Sequence, residues 1–416
     1  GAGARPDPRR SAGRARRRLS AGVVVTPLAV RSPLGLRAAL LQGGWDESLA
    51  GTTAAGVAAG AFRITGLDEK SLEALVHFGG RLGLDVVTGP DWAIVSGSRS
   101  RLGALARPWS VPEPLGELAL QLGLAMPAEP ATTWRTARGV LSVDAPILVG
   151  ILNVTPDSFS DGGRTIDAAA ALRHAERLLS DGAGILDVGG ESTRPGRTHL
   201  VPAEEELRRV LPVVHALARD FPGAAISVDT MKSDVARATL EAGASIINDV
   251  TGLRHDPALG RVVAEAGAGL VLMHSRGEPL AIASAEGADY AGDVIGGVTR
   301  ELRSAMERAM AAGIPLECLV IDPGLGFSKT AEQNMFVADQ LEAFLALGRP
   351  ILVGPSRKRF LGVATGRPVA ERDVATAAAC ALAYERGARL FRVHDVGAAR
   401  DALAVARAFG GHPPAP

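Results

Sequence analysis

Cysteine is nearly absent: Cys318 and Cys380 are the only two in 416 residues, and both sit in apolar stretches. That excludes a disulfide framework and fits reduced, buried thiols in a cytoplasmic protein. Long hydrophobic runs are missing as well. Although 47% of residues are hydrophobic, no segment approaches the roughly 18 consecutive apolar residues of a membrane-spanning helix. Neither sign of charge is in excess, with 45 basic residues against 45 acidic, so there is no electrostatic case for a nucleic-acid partner. Lysine is scarcer still. Only Lys70, Lys232, Lys329 and Lys358 stand among the 45 basic residues. A chain that writes arginine almost everywhere and keeps lysine in a few places points to a need for a compact ammonium there, because the two groups are not interchangeable.

What the chain does have is a rhythm. Short apolar runs recur at 147–152 (ILVGIL), 185–188 (ILDV), 225–228 (AISV), 245–247 (SII), 269–272 (GLVL), 319–321 (LVI), 351–353 (ILV) and 389–393 (RLFRV). Most intervals between them carry apolar residues at helical spacing, as in AEEELRRVLPVVHALARD (203–220). Strands alternating with helices predict a parallel sheet, and eight such units over residues 133–410 predict a (β/α)8 TIM barrel. An open doubly wound sheet is the alternative. A barrel demands that chemistry gather where the strands end. Polar groups do follow all eight runs: Asn153, GGESTR (189–194), Asp229, Asn248 with Asp249, His274, Asp322, SRK (356–358) and His394.

The earlier part reads differently. Residues 1–20 hold seven Arg and one acid, which predicts a disordered basic tail. The chain begins at Gly1 rather than Met, so its native start is left open. Residues 21–110 alternate strand-like and helix-like stretches in an order that suggests a small α+β domain, with a ferredoxin-like arrangement as one option. Residues 111–132, rich in Pro, predict a linker bearing one short helix.

Seven strand-end segments, taken together and in order, resemble dihydropteroate synthase: ILNVTPDSFSDGG (151–163), DVGGESTRPG (187–196), SVDT (227–230), IINDV (246–250), DPGLGFSKT (322–330), VGPSRK (353–358) and RVHDV (392–396). The resemblance covers about 133–410 and leaves the first 130 residues unaccounted for. It implies condensation of 6-hydroxymethyl-7,8-dihydropterin pyrophosphate with 4-aminobenzoate, with Mg²⁺ as cofactor, in a homodimer. It places Asp229, Asn248, Asp322 and Lys358 around the pterin. It places Asn153 and Asp161 on the metal, and Arg194, Arg392 and His394 on the phosphates. Phe159, Thr193, Pro195, Phe327 and Ser356 are expected to wall the aminobenzoate pocket. Asp229, Asp322, Lys358 and Arg392 are the expected catalytic groups. Taken singly, each has a plainer reading: Asp229 as a helix cap, Asp322 as a turn former, Arg194 as a solvated loop charge.

Three rivals compete. Pterin-binding methyltransferase domains share the Asp/Asn/Asp pocket but have no need of STRPG, SRK and RVHD together. An idle barrel serving a working N-terminal domain would have no reason to keep these loops. A bifunctional enzyme would need a phosphate-binding Gly-rich loop within 20–110, and none is there.

Overall fold

A computed structural model describes residues 24–28, 60–90, 92–97, 99–126, 131–155, 168–191, 199–285 and 287–409. The basic tail expected over 1–20 lies outside the described residues. The chain divides into two compact units, residues 1–126 and 127–416.

In the smaller unit, strands β1 (Val24–Leu28), β2 (Ala61–Thr65), β3 (Asp85–Thr88) and β4 (Trp92–Ser96) form an antiparallel sheet in the order β1-β2-β4-β3. Helix α1 (Glu69–Arg81) links β2 to β3, and Asp68 caps it by accepting a hydrogen bond from the Ser71 backbone at 2.8 Å. The run β2-α1-β3-β4 has the strand order of half a ferredoxin-like fold, with the outer strand supplied from the N-terminal side. Helix α2 (Arg99–Leu105) follows. The helix expected within a linker, α3 (Gly116–Ala125), instead buries Leu118, Leu122 and Ala125 in this unit's core beside Ile64, Leu75 and Leu105. Its apolar face needs a partner, so the unit continues to Met126 rather than stopping at 110.

The larger unit begins with a hairpin of β5 (Thr133–Thr136) and β6 (Gly139–Ser142). Eight parallel strands then close into a barrel: β7 (Ile147–Asn153), β8 (Ile185–Gly189), β9 (Ala225–Asp229), β10 (Ile246–Asp249), β11 (Gly269–Met273), β12 (Leu319–Asp322), β13 (Ile351–Val353) and β14 (Ala388–Val393). The molecule is therefore a TIM barrel with a small α+β unit before it, and not an open sheet.

Side chains alternate across a strand, and this alternation builds the interior. Val149, Ile185, Ile246, Val271, Val320, Leu352 and Leu390 point inward and pack on Trp134 from the hairpin, which plugs the lower end. Trp134 is 1% exposed and its indole nitrogen donates to the Cys318 carbonyl at 2.8 Å. Gly269 leaves the space for it, since a Cβ there would lie 3.0 Å from the indole. The outward residues, such as Leu186, Val228, Ile247 and Phe391, face the surrounding helices and form the main core.

Candidate active site

Two residues beyond the apolar interior layer, the same inward columns become polar. Ile185 is followed by Asp187, Ile246 by Asn248, Val320 by Asp322 and Leu390 by Arg392. Two positions further on lie Gly189 and His394. Register aligns Asn153 with Gly189, Gly189 with Asp229 and Asp229 with Asn248 on adjacent strands. These columns open into a cavity of about 710 Å³. Asn153, Asp229, Asn248, Asp322, Arg392 and His394 line it from the strand ends, and Phe327, Ser356 and Lys358 line it from the loops after β12 and β13. Phe159, Asp161, Thr193, Arg194 and Pro195 lie outside the described residues.

Arg392 crosses the barrel from β14 to two carboxylates. Its Nε donates to Asp187 Oδ2 at 2.6 Å and its Nη2 to Asp229 Oδ2 at 2.8 Å. The pairing answers the cost of a nearly buried guanidinium, and burial is the main influence that these two carboxylates overcome to keep Arg392 above its ordinary value. Burial still dominates at the carboxyls. Asp229 is pushed up to about 7, with Arg392 pulling the other way, and Asp322 to about 6, opposed by the Gly324 amide and Lys358.

Lys358 is half-buried, and desolvation lowers it to about 7 against the pull of Asp322. Its Nζ donates to the Leu325 carbonyl at 2.9 Å and stands 3.5 Å from the centre of the Phe327 ring. Gly326, at φ +84°, lets the loop wrap this closely, because any Cβ there would overlap the lysine chain. Ser356 Oγ and His394 Nδ1 are 2.8 Å apart, so a group expected at the aminobenzoate and one expected at the phosphates are directly joined.

Two of the residues named at the strand ends do not contribute to the cavity. Asp249 points outward, since its neighbour Asn248 points in, and it accepts from the backbones of Thr251 and Leu253. His274 is 3% exposed, with Nδ1 3.0 Å from Lys329 Nζ and Nε2 3.0 Å from Glu301 Oε2. Burial lowers it to about 3, helped by Lys329, so the ring is neutral with its proton toward Glu301. Lys329, itself lowered to about 7 by burial against the pull of Asp322, donates as well to the Gly324 and Phe327 carbonyls at 3.1 Å each, so the loop after β12 is wound about its ammonium. Arg276, two residues after His274, pairs with Glu301 and lies 3.8 Å from the Tyr290 ring centre. Of the polar ends expected to gather at one site, the one bearing His274 is thereby removed, while the strand bearing Asp249 still contributes Asn248.

Two further groups escaped the sequence reading. Asp187 stood inside a quoted motif but was given no role, and its inward column was the available signal. Lys232 holds Glu191 Oε2 at 2.6 Å and also Glu206, while Glu191 Oε1 accepts from the Val201 backbone at 3.1 Å. The scarcity of lysine had marked that position.

Among the described residues no group of three His, Cys, Asp or Glu side chains could hold a metal. Mg²⁺, however, takes few protein oxygens when phosphate supplies the rest. Asn153 is a donor of that kind, since Gly189 offers no side chain to cover it: a Cβ there would lie 3.5 Å from its Oδ1. The residues present therefore fit a magnesium ion shared with a phosphate group.

Comparison with known proteins gives a family match to pterin-binding enzymes over residues 149–394. The dihydropteroate synthase of Mycobacterium leprae is 48% identical over 275 residues, 64% of this chain and 94% of that one. The structure of the Xanthomonas albilineans dihydropteroate synthase with 4-aminobenzoic acid superposes with a TM-score of 0.62 at 45% identity, covering 68% of this chain and all of that one. A Yersinia pestis dihydropteroate synthase in complex with a sulfonamide drug gives 0.62 at 38% identity, covering 67% and 99%.

Proposed function

The chain belongs to the dihydropteroate synthase family, and from that premise we propose how its barrel mouth divides the work. The reaction condenses 6-hydroxymethyl-7,8-dihydropterin pyrophosphate with 4-aminobenzoate to give 7,8-dihydropteroate and pyrophosphate in folate biosynthesis. Asp229, Asn248 and Asp322 receive the N–H and NH2 groups of the pterin, with Lys358 between the two substrates. A ligand that donates into Asp229 and Asp322 pulls both carboxyls toward their ionised forms, reversing the effect of burial. Arg392 and His394 meet the pyrophosphate, joined by Arg194 of the segment 187–196. Phe327 and Ser356 wall the aminobenzoate together with Phe159, Thr193 and Pro195.

Asn153, with Asp161, would hold Mg²⁺, which supplies positive charge to the leaving pyrophosphate. The displacement is dissociative: the methylene C–O bond breaks with its electron pair going to phosphate oxygen. The positive charge left on the pterin methylene spreads to the ring nitrogens and is stabilised by Asp229 and Asp322, carboxylates already fixed in a water-poor site. The neutral arylamine then attacks the methylene carbon, and the acidic N–H proton of the ammonium so formed passes to water or the departing pyrophosphate, so no strong base is required.

One observation carries this reading. Asp229, Asn248, Asp322 and Arg392 from the strand ends share a single cavity with Phe327, Ser356 and Lys358 from two loops. The test is pyrophosphate release with both substrates and Mg²⁺, with and without a chelator and a sulfonamide. Release that needs both substrates, stops with the chelator and is competed by the drug is the expected result. Pterin binding without release would overturn the assignment of roles.

A homodimer forms part of the proposal. The helices Asp373–Glu385 and Val396–Phe409 expose Val374 and Leu382, and Val405 and Phe409, respectively. Phe409→Asp should shift the sedimenting species from dimer to monomer, and an unchanged dimer would remove this face from the interface. Cytoplasmic location is proposed with it, on the two buried, unbridged cysteines. Among the described residues no helix is long and apolar enough to cross a membrane.

A further inference from the structure

Asp187 is fully buried on β8, below the cavity and not on its wall. Its Oδ2 accepts from Arg392 Nε at 2.6 Å and from Asn248 Nδ2 at 3.1 Å. A carboxylate accepting two hydrogen bonds can face only donors. An amide carries a donor and an acceptor at opposite corners, so a carboxylate on one side decides which corner the other side presents. With Nδ2 held by Asp187, Asn248 turns Oδ1 into the cavity that it lines. The same carboxylate fixes Arg392 through Nε and so aims Nη2 at Asp229 Oδ2.

We propose that Asp187 is a positioning residue that sets the hydrogen-bond polarity of Asn248 and anchors Arg392, so that Asn248 presents an acceptor to the cavity alongside the Asp229 and Asp322 carboxylates. This rests on the reading of Asn248 as a pterin contact. The chemistry it selects is a heterocycle edge bearing N–H and NH2 donors. A ligand placing a carbonyl or an unprotonated ring nitrogen against Asn248 meets another acceptor and is rejected, the kind of mismatch that discriminates far more strongly than apolar fit.

The test uses two isosteric changes in the full-length protein, with the dissociation constant of a 6-hydroxymethylpterin measured by calorimetry. In Asp187→Leu no acceptor holds Asn248 Nδ2, so the amide is free to present its NH2 to the cavity, and Arg392 loses the partner of its Nε. Pterin affinity should fall by ~10- to 100-fold. In the double variant Asp187→Leu/Asn248→Asp the charge of the pair is that of the wild type. The carboxylate at 248 offers acceptors whichever way it turns, so affinity should recover at least ~10-fold over the single variant. Loss of packing alone would give no such recovery.

A single variant that binds as tightly as wild type, or a double variant no better than the single, would overturn the proposal. If Asp187→Leu does not fold, the double variant still decides: binding near wild type supports the inference, and binding as weak as that of Asn248→Ala overturns it. Asn248→Ala also separates the two levels of the argument. Unchanged pterin binding in that variant would reject Asn248 as a contact, whereas loss there combined with wild-type binding in Asp187→Leu would reject only the role of Asp187.

Discussion

At the lower end of the barrel Ile185, Ile246, Val320 and Leu390 close around Trp134, while two residues further along the same four strands stand Asp187, Asn248, Asp322 and Arg392. One pleat repeat, ~7 Å of strand, separates a dry plug from an ionic network. The plug is what makes the network costly and useful. With no water from below, charges above it must be paired, as Arg392 is with Asp187 and Asp229, or be pushed toward neutrality, as Asp322 and Lys358 are. A ligand that supplies the missing partners gains what the empty cavity withholds.

The largest effect should come from the upper end. Lys358→Ala is expected to lower kcat/KM by ~10³-fold while circular dichroism stays native. Arg392→Ala should lose as much activity and also ~3 kcal/mol or more of stability, because it strands the buried Asp187 carboxylate and the mostly covered Asp229. Steady-state kinetics with thermal melts check both, and turnover above a tenth of wild type would erase the contrast between the two ends. The lower end should behave in the opposite way. Trp134→Ala should cost ~3–5 kcal/mol in urea unfolding, yet leave kcat within about threefold at low temperature. A collapse of kcat in the folded variant would mean that the plug takes part in the chemistry.

A third test reads the pH dependence that the plug imposes. Asp322 titrates at about 6 in the folded protein against 3.8 in the reference state. The folded chain thus holds a proton that the unfolded chain releases. Its contribution to stability is complete below about 4 and is lost as pH rises through about 6. Asp322→Asn should therefore lose less stability than wild type between pH 4 and pH 7 in urea titrations. Equal pH slopes would show that Asp322 is not desolvated as described. The smallest effect is expected from removing residues 1–126. The barrel carries the whole described cavity, so kcat/KM should stay within about threefold, and a folded but inactive truncation would give the small unit a share in the site.

The comparison also shows why some residues were readable in advance. Asp229, Asn248, Asp322 and Lys358 stand at or just past strand ends, where a barrel gathers its chemistry, and motif and periodicity agree on them. Asp249 and His274 satisfied the same rule and yet face away, because a one-residue step along a strand reverses its face and loop curvature then decides the partner. Asp187 was hidden for the converse reason. It lies inside a strand, and its two partners are 61 and 205 residues away in the chain. The helix at Gly116–Ala125 was misassigned to a linker because proline density marks turns but does not show that the apolar face between them has a core to enter.

The amino-acid sequence by itself determined the alternation of eight strands with helices, the barrel it implies, and the residue types waiting at the strand ends, because local periodicity and turn chemistry act over a few residues at a time. Only the closed barrel decided which of those groups meet. Closure brings β14 beside β7 and lets one arginine reach two strands beyond it. Burial, pairing and the polarity of Asn248 follow from that meeting, and none of them exists until the ring is shut.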